Sequence, residues 1–236
     1  CPALQPRILN GQKVTDDCPY SGISNITFEK GTISCGNAVF TIATVNGNTK
    51  PTFLTTGALK DIIEGGRDAN IVFEIQIGNQ KYPILPGLFT LYNGPDGTAF
   101  IDLDPAYSRL LDSLGGCQKE ACAYNNATMY GLIDFNTCKI LSYGTSDAEL
   151  TSQDGLYEAN VIPNEGGCTN IPDESGSANS KCYKAVSGRN LMCTADLGAP
   201  VYCYALKSKE WILQGVAAFQ SGCDESSEFR VLPYPG

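Results

Sequence analysis

Apolar and polar residues alternate along much of this chain with a period of two. The alternation runs through Ala38–Val45, Ala69–Ile77, Ala99–Leu103 and Trp211–Phe219, each bounded by Gly, Asn, Asp or Pro. A period of two sends successive side chains to opposite faces, so these runs predict half-buried β-strands. Many short strands separated by turn residues predict an all-β sandwich or barrel. Helical periodicity is scarce, and the best candidate, Pro105–Leu114, is short. Ile171–Lys181 is rich in Gly and Ser and reads as a surface loop clipped between Cys168 and Cys182. No internal repeat or low-complexity tail is evident.

Composition narrows the class. The 236 residues are enough for one large domain or two small ones, and 42% hydrophobic with 17% charged residues is the profile of an ordered, loop-rich protein. Eleven cysteines spread from Cys1 to Cys223 suit an oxidising compartment, and their odd number leaves at least one thiol without an internal partner. Zinc is disfavoured: there is no histidine and no pair of CxxC knuckles, the nearest spacings being Cys117 to Cys122 and Cys193 to Cys203. We therefore expect structural disulfides, no metal and no cofactor. The sequons Asn25-Ile26-Thr27 and Asn126-Ala127-Thr128 predict glycosylation at Asn25 and Asn126.

No apolar run reaches the roughly 18 residues that span a bilayer. The chain starts at Cys1 without a charged and then apolar leader, so a signal peptide is expected to have been removed from a secreted, extracellular protein. A net charge of -9, with no basic stretch to offset it, argues against nucleic acid and anionic membrane as partners. The absence of histidine excludes Ser-His-Asp and Cys-His catalysis.

The last third carries the most specific pattern. Cys193-Thr-Ala-Asp-Leu-Gly-Ala-Pro-Val-Tyr-Cys203 precedes Trp211-Ile-Leu-Gln-Gly-Val-Ala-Ala-Phe-Gln-Ser-Gly-Cys223. These blocks resemble the nucleophile loop C-x-G-D-S-G-G-P-L-x-C and the strand W-x-L-x-G-[IV]-x-S-W-G-x-G-C of the trypsin/chymotrypsin-like serine protease family. Cys1-Pro-Ala-Leu-Gln-Pro-Arg-Ile-Leu-Asn-Gly11 is similar to that family's cysteine-bearing propeptide and activation site. Ile33-Ser-Cys-Gly-Asn-Ala-Val-Phe40 resembles its F-C-G-G-S-L-I segment, and Cys138 through Tyr143-Gly-Thr145 its C-x-x-x-G-W-G-T.

The resemblance implies two six-stranded antiparallel β-barrels, disulfide-stabilised, within a single trypsin-like domain. The N-terminal barrel would span roughly residues 8–115 and the C-terminal one roughly 116–236, after a propeptide-like segment 1–7. It also implies a dismantled active site. Leu197 stands at the nucleophile, Ala58 at the general base, Gly97 at the orienting aspartate with Asp96 beside it, and Ala195 at an oxyanion-hole glycine. Leu59 replaces a normally disulfide-bonded cysteine, while Leu191, Ala218, Phe219 and Gln220 would narrow or fill the specificity pocket. Arg7-Ile8 is an activation-like bond, whose cleavage would let the Ile8 ammonium pair with Asp196. The implied disulfides are Cys1-Cys122, Cys138-Cys203, Cys168-Cys182 and Cys193-Cys223, leaving Cys18, Cys35 and Cys117, of which Cys18 would pair with Cys117 or Cys35.

These readings favour a secreted serine protease homologue without the catalytic triad, a binding module serving as inhibitor, decoy, cofactor or adaptor for a secreted or cell-surface protein. The alternative is an extracellular matrix, coat or seminal structural glycoprotein, with a disulfide-linked oligomer through the odd cysteine. A different enzyme chemistry would need paired carboxylates across a cleft, and the sequence places none.

Overall fold

The computed structural model describes residues 11–14, 23–28, 33–45, 47–69, 71–77, 80–107, 132–144, 155–168, 179–186, 196–218 and 228–235. The first half contains β1 (Gln12–Lys13), β2 (Ile23–Phe28), β3 (Ile33–Val45), β4 (Asn48–Thr56), α1 (Gly57–Asp68), β5 (Phe73–Ile77), β6 (Gln80–Ile84), β7 (Phe89–Asn93) and β8 (Thr98–Leu103). The second contains β9 (Ile133–Gly144), β10 (Gly155–Pro163), β11 (Lys181–Ala185), β12 (Pro200–Ala205), β13 (Glu210–Ala218) and β14 (Glu228–Pro233).

Strands β6-β5-β2-β3-β4-β8-β7 form a seven-stranded antiparallel sheet that curls into a half-barrel. In the second half, β9 pairs with both β10 and β12, closing the order β10-β11-β14-β13-β12-β9 into a six-stranded barrel. The short β1 lies against β10 of that second barrel, with Gln12 opposite Glu158. This all-β pair, a closed barrel beside a half-barrel, is consistent with a chymotrypsin-like fold.

Three apolar clusters hold the strands. One fills the closed barrel, with Ile140, Val161, Tyr183, Val201 and Phe229 at its centre. Cys138 and Cys203 are opposite each other on β9 and β12 and are joined within it, and Cys168 is joined to Cys182, so both of these expected disulfides are present. A second cluster lies inside the half-barrel, with Ile26, Phe53, Leu59, Ile75 and Ile101. The third is shared between the halves: Val39, Leu54 and Phe100 meet Leu141, Tyr202, Val216 and Leu232.

That shared cluster explains where strict alternation fails. Phe40 on β3 faces the half-barrel core while its neighbour Val39 faces the second barrel, so Cys35–Thr41 is buried throughout. Beyond it, Ile42 and Thr44 turn to solvent and the alternation returns. A strand with both faces covered reads as a continuous apolar run.

Helix α1 corrects the sequence reading, which assigned no helix there and began a strand at Ala69. Thr56 caps it, its hydroxyl accepting from the Leu59 N–H at 3.2 Å, and Leu59, Ile63 and Gly66 form its buried stripe. A Cβ on Gly66 would lie 2.4 Å from the Phe73 ring, so this glycine inside the helix lets β5 pack closely, whereas Gly65 faces open space. The Pro105–Leu114 candidate is helical over 105–107, and its remainder lies outside the described residues.

Candidate functional site

The junction between the two halves is organised by residues 196–199. Gly198 donates its N–H to Ala217 O at 2.8 Å, Ala217 donates to Ala199 O at 2.8 Å, and Ala199 donates to Asp196 O at 2.8 Å, tying the segment to β13. On its other side Asn37 N–H of β3 donates to Leu197 O at 2.7 Å. The Leu197 side chain, 3% exposed, packs into the half-barrel cluster with Cys35 and Leu59.

Asn37 is the polar hinge pin of this junction. It is fully buried; its Nδ2 donates to Ser142 Oγ at 2.9 Å, its Oδ1 accepts from Tyr143 N–H at 3.1 Å, and its carbonyl accepts from Thr55 Oγ1 at 2.8 Å. One side chain thus joins β3 of the half-barrel to β9 of the closed barrel. Asn37→Ala would strand the Tyr143 N–H, at a cost of about 2 kcal/mol. Urea unfolding should show it as a lowered midpoint at unchanged slope.

The segments of the three positions that the resemblance assigns to a catalytic triad are brought to one region. Ala58 is an exposed residue in the first turn of α1. A Cβ on its neighbour Gly57 would lie 3.3 Å from Gly97 O, which sets the helix start against the 95–97 turn. Leu59, the next residue of the helix, and Leu197 O both bound Gly36, at 3.1 and 2.7 Å from the position of a Cβ there. None of the Ala58, Gly97 and Leu197 side chains can take up or release a proton.

The carboxylates nearby are otherwise engaged. Asp96, in a left-handed conformation with φ 53°, accepts from Asn179 Nδ2 at 2.9 and 3.1 Å, so it fastens the turn to the segment leading into β11. Asp196, which precedes Leu197 in the chain, is fully buried. Its expected partner Ile8, with Arg7, lies outside the described residues, as do Ala195, Leu191, Phe219, Gln220, Cys1-Cys122, Cys193-Cys223, Cys18, Cys117 and Asn126. Ala218 ends β13, half-buried against the shared cluster. Cys35 is disulfide-bonded to a partner outside the described residues.

Asn25, the first of the two expected glycan sites, is fully buried and its Nδ2 donates to Gln76 Oε1 at 3.4 Å. The sequon triplet encodes nothing about burial.

A scan of protein-family models and a search of curated proteins gave no match.

Elsewhere, a cleft of about 470 Å³ on the closed barrel is lined by Phe135, Asn136, Ile162, Asn164, Glu165 and Lys184 among others. Its rim is shaped by Asp134, whose carboxylate accepts from Thr137 Oγ1 at 2.6 Å and Asn136 N–H at 3.0 Å. These donors, the hydroxyl first, hold the carboxyl below its ordinary value of 3.8. The turn's support is therefore complete above that value and is lost as pH falls through the lowered one. Thr137→Ala should move the Asp134 titration, followed by carboxyl NMR, back toward the ordinary value. Nearby, Cys168, Cys182 and Glu228 offer ligand atoms within 4.8 Å of one another, but both sulfurs are consumed in the disulfide.

Two features of the junction escaped the sequence reading. Asn37 lies within Ile33–Phe40 with no motif to mark it, and the Asp96–Asn179 bridge joins residues 83 apart. A buried Asn flanked by apolar strand residues was the available signal for the first.

Proposed function

We propose that this chain is a secreted, non-catalytic homologue of trypsin/chymotrypsin-like serine proteases that acts as a binding module for a secreted or cell-surface protein. The observation that carries this reading is Leu197. At the position the resemblance assigns to the nucleophile, an apolar side chain is packed inside the half-barrel core, while Ala58 and Gly97 offer no base and no orienting acid beside it. A scaffold whose assigned nucleophile, base and orienting-acid positions carry Leu197, Ala58 and Gly97 supports surface recognition as its use.

The test has two arms. The disulfide-intact chain is assayed against peptide, ester and glycan substrates, where turnover equal to buffer is expected. It is also used, under non-reducing conditions, to capture partners from the native secretion, with each candidate then purified and its binding measured directly. Saturable 1:1 binding of one secreted protein supports the module. Disulfide-linked multimers that dissolve only on reduction, with no such partner, would replace it by the structural-glycoprotein reading.

A further inference from the structure

The buried sequon leads to a second site, independent of the degenerate catalytic centre. Ile26 on β2 and Ile75 on β5 are directly paired and both face the half-barrel core. Their neighbours, Asn25 paired with Gln76 and Thr27 paired with Glu74, therefore share the opposite face of the sheet. Four polar side chains thus form a stripe across two strands, yet Asn25 and Thr27 are fully buried.

Two atoms of the stripe are buried and make no hydrogen bond: Thr27 Oγ1 and Glu74 Oε2. They belong to directly opposed residues, whose Cβ atoms in such a pair are about 5 Å apart. On its other side Glu74 is paired with Pro83, which brings no side-chain donor, and none of the described ion pairs includes Glu74. A buried carboxylate oxygen is costly unless a cation or donor meets it, and each such atom in a folded protein calls for a partner. Glu74 as a whole is only half-buried, so the carboxylate leads from solvent inward.

We propose that Glu74 and Thr27, backed by the Asn25–Gln76 amide pair, bind a hard metal cation on this face of the β2–β5 pair. The donors are all oxygen, one charged and the others neutral, a set that takes sodium, calcium or magnesium and offers nothing to soft metals. Waters on the open side of Glu74 complete the coordination. A single carboxylate makes the site weak, matched to an extracellular fluid where such ions are abundant.

The experiment is thermal unfolding of the full, disulfide-intact chain in tetramethylammonium chloride, then with NaCl, CaCl2 or MgCl2 at matched ionic strength. Glu74→Gln and Thr27→Val are run beside the wild type, with direct binding of the responding ion measured by flow dialysis. One ion should raise the wild-type Tm saturably by about 3 °C or more, and both variants should lose most of that rise. Equal responses of all three proteins, or no ion-specific shift and no bound ion in the wild type, would overturn the site. If Glu74→Gln does not fold, Thr27→Val decides, since it keeps the carboxylate and exchanges only a hydroxyl for a methyl.

Discussion

Gly198→Ala should destabilise the protein by about 4 kcal/mol, a large share of the roughly 5–15 kcal/mol that holds a domain of ordinary stability. Two costs add. Gly198 has φ +78°, a conformation that an L side chain adopts at a penalty of about 1–2 kcal/mol. A Cβ there would also lie 2.0 Å from Asn37 O and 2.5 Å from Thr55 Oγ1, so β3 and β4 would have to retreat from the segment they brace. Gly47→Ala separates the two costs: its φ is +78° as well, but nothing lies within 4 Å of its Cβ position. The control should lose about 1 kcal/mol. Equal midpoints for the two variants in urea would show that the close approach at Gly198 contributes nothing.

Leu197→Ser, which puts a hydroxyl at the position the resemblance assigns to the nucleophile, should cost about 4 kcal/mol and create no activity. Removing a buried Leu side chain costs about 2–5 kcal/mol through lost burial and the cavity left behind, and the new hydroxyl would sit among Cys35, Leu59 and their apolar neighbours. No imidazole or carboxylate at Ala58 or Gly97 would activate it. Leu197→Met, which conserves volume, should cost under about 1.5 kcal/mol. If Leu197→Ser were as stable as the wild type, Leu197 would not be core packing. Burst release from an active ester by that variant would mean that a base exists nearby.

The positions of β13 and β8 were legible because their apolar runs, Trp211–Phe219 and Ala99–Leu103, are bounded by turn residues, although both strands are buried on consecutive residues and do not alternate strictly. Closure into a barrel was not legible from periodicity, because it depends on β9 pairing with both β10 and β12, contacts far apart in sequence. Helix α1 is hidden in the sequence by Gly65-Gly66, of which Gly66 lacks a side chain where the Phe73 ring packs against the helix. At the site, the sequence blocks located Ala58, Gly97 and Leu197, and the structure brings their segments into one region. It did not foretell that Leu197 would turn into the half-barrel, that Asn37 would clasp both halves, or that Asn25 would be sealed from solvent. Each of those depends on which face of a strand a neighbour covers, and a short pattern of residue types carries no record of that.

The most direct measurement is hydrolysis of a diverse peptide library by the purified, disulfide-intact chain, with products identified by mass spectrometry and a serine-directed phosphonate probe run in parallel. With Leu197 packed in the core and Ala58 and Gly97 unable to act as base or orienting acid, new peptide termini should stay at the buffer level and no residue of the chain should carry the probe. Saturable cleavage at defined bonds that co-elutes with the chain would contradict the proposed non-catalytic role.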